Sequence, residues 1–143
     1  MFADPTGAHA GAFAAVFATL YVAHQIADHW VQTQWQADTK GQLNWLGRLA
    51  CAAHVGTYTL TAVVALAAML LATGLRLDPW GVTVGLTVSA VSHYIADRRV
   101  PLRRLADALK KNPAWLERGG GLYAMDQSWH IGFLFVAALF CAA

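Results

Sequence analysis

A chain of 143 residues, 57% of them hydrophobic and 13% charged, fits one domain and departs from the composition of soluble globular proteins. The formal net charge of +2 is too small to point to nucleic acid, and the two cysteines, Cys51 and Cys141, would lie near opposite membrane faces, too far apart for a disulfide. A mean hydropathy of +0.42 makes an all-α integral membrane protein the leading class.

Met1 to His9 carry no Lys or Arg, and the triplet Ala8-His9-Ala10 precedes the first apolar run, so no cleaved leader is expected. The first span is predicted over residues 11–31, which at about 1.5 Å per residue matches a hydrocarbon core. Ala10, Ala14 and Ala18 stand one turn apart and offer a small-residue face to a neighbouring helix. His24, Asp28 and Gln32 then recur every four residues and share a helix face. Trp30 and Trp35 fit a membrane interface, and residues 32–43 read as a short exposed connection.

The second span is predicted over 48–73 and stops at Gly74. His54, Thr57, Tyr58 and Thr61 form a polar stripe that should face other helices. Pro79 suits the first turn of a third span over 80–97, where Ser89, His93 and Asp97 share a stripe and Gly81 and Gly85 suit close packing. Residues 100–111 alternate basic groups with Leu102, Leu105 and Leu109, the pattern of an amphipathic interfacial helix that Asn112-Pro113 would end. Gly119-Gly-Gly121 reads as a flexible joint before a fourth span over 126–143, opened by Asp126 and His130.

Four antiparallel spans would form a four-helix bundle, a single transmembrane domain over 1–143, and bring the His/Asp clusters to one membrane side. Lys40, Arg48, Arg98, Arg99, Arg103, Arg104, Lys110, Lys111 and Arg118 flank that side, with Arg76 alone opposite. The positive-inside rule then puts the site at the cytoplasmic face and both termini outside.

Ionisable groups are costly to keep inside a membrane, so their convergence points to a functional polar site. Imidazole and carboxylate together ligate divalent ions, zinc first, with manganese or iron as alternatives. The expected ligands are His24, Asp28, His54, His93, Asp97, Asp126 and His130, enough for one ion or two. Asp28, Asp97 and Asp126 are candidates for a general base as well as for ligands. His29, Gln32, Tyr58, Ser89 and Gln127 are expected to surround and orient them. Such a site could acidify a water and hydrolyse a lipid-like or amphipathic substrate, although no H-E-x-x-H signature is present. Alternative readings are a non-catalytic membrane interaction protein with a metal or polar staple, a haem held by two histidines, or a proton or cation pathway. Membrane lipid is the expected partner, nucleic acid is not, and homo-oligomers are open to the chain.

The ordered motifs His24-x-x-x-Asp28-x-x-x-Gln32, Lys40, His54, His93-x-x-x-Asp97 and Asp126-Gln127-x-x-His130 cover nearly the whole chain. In combination they resemble a family of small multi-pass bacterial and phage membrane proteins, the domain of unknown function 3307 type. The resemblance implies a bacterial cytoplasmic membrane location and brings no substrate or reaction. A more distant similarity to membrane-bound metal-dependent hydrolases implies enzyme activity by analogy.

Overall fold

The computed structural model describes residues 7–143, and the regular structure among them is helical throughout. Helix α1 (Ala8–Ile26) continues through one wide π turn, Ala27–Val31, and is followed by the short α2 (Gln34–Thr39). The long α3 (Trp45–Thr73) and α4 (Pro79–Asp97) come next, then α5 (Val100–Ala108), α6 (Pro113–Arg118) and α7 (Gly121–Cys141). Helix α1 packs on α3 and α7, and α4 packs on α7 and α3.

Local chemistry explains most of these limits. Asn44 and Asp78 cap α3 and α4 by accepting the amide protons of Gly47 and Gly81 at 2.8 Å each, and Pro79 occupies the first turn of α4. Gly74 ends α3 with a left-handed φ of 71°. The segment between α1 and α3 is not a plain connection. Thr33 accepts from the Gln36 amide at 3.2 Å while Gln36 Oε1 accepts from the Thr33 amide at 2.9 Å, a capping box that starts α2.

The region before α7 also differs from its sequence expectation. Asn112 accepts from the amides of Ala114 and Trp115 and starts a further helix, α6, where an end to α5 was expected. Of the three glycines, Gly121 is packed: it opens α7 under the Trp115 ring, where an added Cβ would stand 2.5 Å from Cε3. Helix α5 ends at Ala108, with Leu102 and Ala106 buried and Leu105 and Leu109 exposed.

The core runs through the end of the bundle away from the histidines. Val16, Leu20, Ala62, Leu66, Leu134, Ala137 and Cys141 are nearly inaccessible there. Close approach of α4 to α7 depends on glycine, because an added Cβ at Gly85 would stand 2.5 Å from Cys141 Sγ and 2.6 Å from the Ala137 carbonyl. Gly81 meets the Phe140 carbonyl in the same way. The alanine stripe of α1 behaves otherwise: Ala10, Ala14 and Ala18 are exposed, and Ala12, Val16 and Leu20 make the packed face. Larger inward residues bury more apolar surface than the alanines could, which fixes the helix rotation. Both cysteines are buried and free.

Three segments are long and apolar enough to cross a membrane: Ala8–Val31, Trp45–Thr73 and Gly121–Cys141. Their outward faces carry Leu60, Val64, Leu71, Phe135 and Leu139, an apolar surface that suits lipid rather than water. Helix α4 has span length but is diluted by Thr83, Thr87, Ser89, Ser92, His93 and Asp97, and it is not among the three. Its threonines bond the carbonyls one turn back, Thr83 to Pro79 at 2.8 Å and Thr87 to Thr83 at 2.7 Å.

Candidate metal centre

Four elements deliver the polar groups to one end of the bundle. The α1 stripe of Val16 and Leu20 continues one turn on as His24, and Asp28 follows in the π turn, with Nδ1 of His24 3.6 Å from Oδ2 of Asp28. Single π turns recur at functional sites because the extra residue re-aims a side chain. His54 enters from the third turn of α3, His93 and Asp97 from the end of α4, and Asp126 and His130 from the start of α7. His24, His54, His93, Asp97 and His130 are all buried.

The tightest part of the cluster is formed by His54, His93, Asp28 and Asp97. The two Nε2 atoms stand 3.0 Å apart. Asp28 Oδ1 lies 3.4 Å from His54 Nε2 and 3.6 Å from His93 Nε2, and Asp97 Oδ2 lies 3.3 Å from each. Two ligand atoms each about 2.1 Å from a tetrahedral ion stand roughly 3.4 Å apart. Each carboxylate oxygen thus makes a triangle with the two imidazole nitrogens whose edges match ligands around one small divalent ion.

A second group completes the site. Donor atoms of His24, His93 and His130 lie within 4.8 Å of one another, as do those of Asp97, Asp126 and His130. Asp126 Oδ1 is 3.6 Å from His130 Nε2, and the Asp126 side chain is 28% exposed, the most open of the carboxylates in the cluster.

Polar satisfaction gives an independent test of whether these residues fit an ion. Both ring nitrogens of His24, Asp28 Oδ1, Asp97 Oδ2 and His130 Nε2 are buried without a hydrogen-bond partner. Orphaned buried polar atoms are rare because each loses its hydration, so their convergence calls for a shared partner. Charge points the same way: Asp97 is buried and Asp28 nearly so, and of the two only Asp97 has an ammonium beside it, Lys40, whose Nζ is 2.8 Å from Asp97 Oδ1. A bound cation would balance the remaining negative charge.

Packing rather than a second hydrogen bond holds the rings. The Nδ1 atoms of His54 and His93 have no partner, but the Tyr58 ring lies 4.0 Å from His93 at 32° and the His130 ring lies 4.2 Å from it. Tyr58 is fixed in turn by a 2.6 Å hydrogen bond to Ser89. Thr57 and Thr61 do not reach the cluster; they bond the carbonyls of His54 and Thr57 on their own helix. Gln127 donates to Asp126 at 3.3 Å, and Gln32 ends the π turn with its Nε2 buried and unpartnered. His29 is exposed and lines the entrance instead of joining the donors.

Sequence spacing did not single out Lys40 or the two arginines after α4. Arg98 donates to the Lys40 carbonyl at 2.6 Å and to the Gln42 carbonyl, tying the α2 region to the end of α4. Lys40 is thereby held against Asp97 although no helical period links them. Cys51, three residues before His54, is in none of the donor groups; its thiol donates to the Tyr94 carbonyl at 3.7 Å.

The site opens into a cavity of about 560 Å³ that reaches Asp28, Asp97 and Asp126 on one side and α5 on the other. The fold and site together define a helical protein with three membrane-length apolar helices and buried His/Asp groups that could hold a metal ion. The chain belongs to the family described as "Protein of unknown function (DUF3307)", whose model matches residues 16–143. No curated protein and no solved structure matches it.

Proposed function

We propose that this is a four-span protein of a bacterial cytoplasmic membrane that binds a divalent metal near the cytoplasmic face and hydrolyses an amphipathic, lipid-like substrate there. The carrying observation is the pair of near-regular triangles that Asp28 Oδ1 and Asp97 Oδ2 make with the Nε2 atoms of His54 and His93. Counting α4 as the fourth span is supported by its length and by its seat between α3 and α7, which shields its polar stripe from lipid. The basic residues flanking the site end support the cytoplasmic orientation, with both termini outside, and the amphipathic α5 supports a helix lying in the interface.

In this reading Asp28, His54, His93 and Asp97 hold the ion, which supplies Lewis acidity; mixed nitrogen and oxygen donors favour zinc, then manganese or iron. Asp126, more exposed and facing the cavity, is the group placed to take a proton from water. Lys40 Nζ, 2.8 Å from Asp97 Oδ1, orients that carboxylate. A second reading, a non-catalytic metal staple, is favoured by one observation: the four donors come from the π turn, α3 and α4, so an ion would cross-link three segments.

Metal analysis of detergent-purified protein separates these readings. Near-stoichiometric metal in the wild type, lost in His54→Ala and His93→Ala, is expected; a metal-free wild type sinks both. With metal present, release of product from lipid extracts that stops on chelation and in Asp126→Asn supports hydrolysis, and no metal-dependent product leaves the staple.

A further inference from the structure

The mouth of the cavity has a chemistry different from its floor. Arg99 follows α4 with φ 61° and ψ −42°, in a tight turn closed by the Val100 amide donating to the Arg98 carbonyl at 2.6 Å, a backbone conformation that a non-glycine residue adopts only where its surroundings impose it. Its side chain lies across Gly41, where an added Cβ would stand 2.8 Å from Arg99 Cδ, and Nη2 donates to the Ala37 carbonyl at 3.2 Å. Among the described residues no carboxylate lies within ion-pairing distance of this guanidinium, whereas Arg103 nearby is engaged by Asp107 and Glu117 at 3.1 and 3.3 Å.

Gln32 faces the same cavity with its buried Nε2 unpartnered. A guanidinium without a counter-ion and an amide donor without an acceptor therefore line one opening. The walls between them and α5 are apolar, with Val100, Leu102 and Leu122 prominent.

We infer that this mouth binds a phosphoryl group, with Arg99 and Gln32 as its oxyanion donors and the apolar wall taking an attached hydrocarbon. The planar guanidinium fork matches phosphate oxygens, and the desolvated amide adds a directional donor. As a substrate subsite it rests on the metal reading above, because the carboxylates of the floor would repel a phosphate unless a cation balances them. The phosphoryl group has two sources, a lipid headgroup or free phosphate, and the lining favours the headgroup.

The test is binding to metal-replete protein in detergent, with dihexanoyl phosphatidic acid, dihexanoylglycerol and inorganic phosphate as probes. The phosphatidic acid is expected to bind at least tenfold more tightly than the neutral glyceride. That preference should fall at least tenfold in Arg99→Gln and in Gly41→Ala, which displaces the arginine without removing its charge. Inorganic phosphate binding as tightly as the phosphatidic acid assigns the site to free phosphate; much weaker binding assigns it to a headgroup. No preference over the neutral glyceride, or a preference unchanged in both variants, overturns the inference. Metal content, measured on every sample, keeps the two readings apart: lost preference with metal retained is expected of both variants, a metal-loaded wild type without preference overturns the subsite alone, and a metal-free wild type overturns the metal reading and the subsite with it.

Discussion

The two ends of the bundle solve opposite problems with the same helices. At the apolar end, Val16, Leu66, Leu134 and Cys141 meet with glycines admitting one helix onto another, and every buried group is apolar. At the polar end the same stripes continue as His24, Asp28, His54 and His130, several with orphaned atoms. Burial of apolar surface stabilises the first; the second costs free energy unless something satisfies it. The contrast teaches that stability and function are laid along one helix face in succession, and that a metal should affect only one end.

The largest expected effect lies at the apolar end. Gly85→Val drives a branched side chain into the Ala137 carbonyl and Cys141, neither of which can yield without moving α7. A loss of about 3 kcal/mol or more is expected in denaturant unfolding from detergent. Leu66→Ala, at a site 3% exposed, should cost about 2 to 4 kcal/mol, and the cost should be the same in metal-replete and chelator-treated protein. A cost that changed with chelation would break the division between the two ends.

Lys40→Met probes the polar end without touching a proposed ligand. It leaves Asp97 Oδ1 without its 2.8 Å partner, and metal affinity should fall by about 10- to 100-fold in a competitive titration. Unchanged affinity would show that Asp97 is held by its imidazole neighbours alone. The smallest effect is expected where the ends meet: Tyr58→Phe removes the 2.6 Å bond to Ser89 and should cost about 1 kcal/mol, with metal retained.

Much of this arrangement was legible in the sequence. The spacing of His24 with Asp28 and of Ser89, His93 and Asp97 predicts shared faces because side chains four apart on a helix align, and all of those except Asp28 are buried outright. Gly81 and Gly85 were readable for the same reason. Ala10, Ala14 and Ala18 were misread because a small-residue period says that close approach is allowed, while the larger Val16 and Leu20 decide which face turns inward. The Thr33-x-x-Gln36 capping box starts a helix inside what reads as an exposed connection, and Asn112-Pro113, which reads as a helix end, caps the start of α6.

Arg99 has no such signal, and Lys40 stands out only in the order of motifs, with no spacing that ties it to Asp97. Lys40 reaches Asp97 through a turn fixed by Arg98 and two carbonyls, and Arg99 is placed by a backbone angle and a glycine 58 positions away. The π turn that carries Asp28 likewise follows from tertiary packing rather than from any residue period.

The central claim is that Asp28, His54, His93 and Asp97 share one ion, and cobalt(II) substitution reads this directly. Tetrahedral cobalt in a nitrogen and oxygen donor set absorbs visible light far more strongly than octahedral or free cobalt. The account predicts a strong tetrahedral spectrum saturating at one cobalt per chain and abolished in His54→Ala and His93→Ala. A weak octahedral spectrum, or a strong one that persists in both variants, would contradict it.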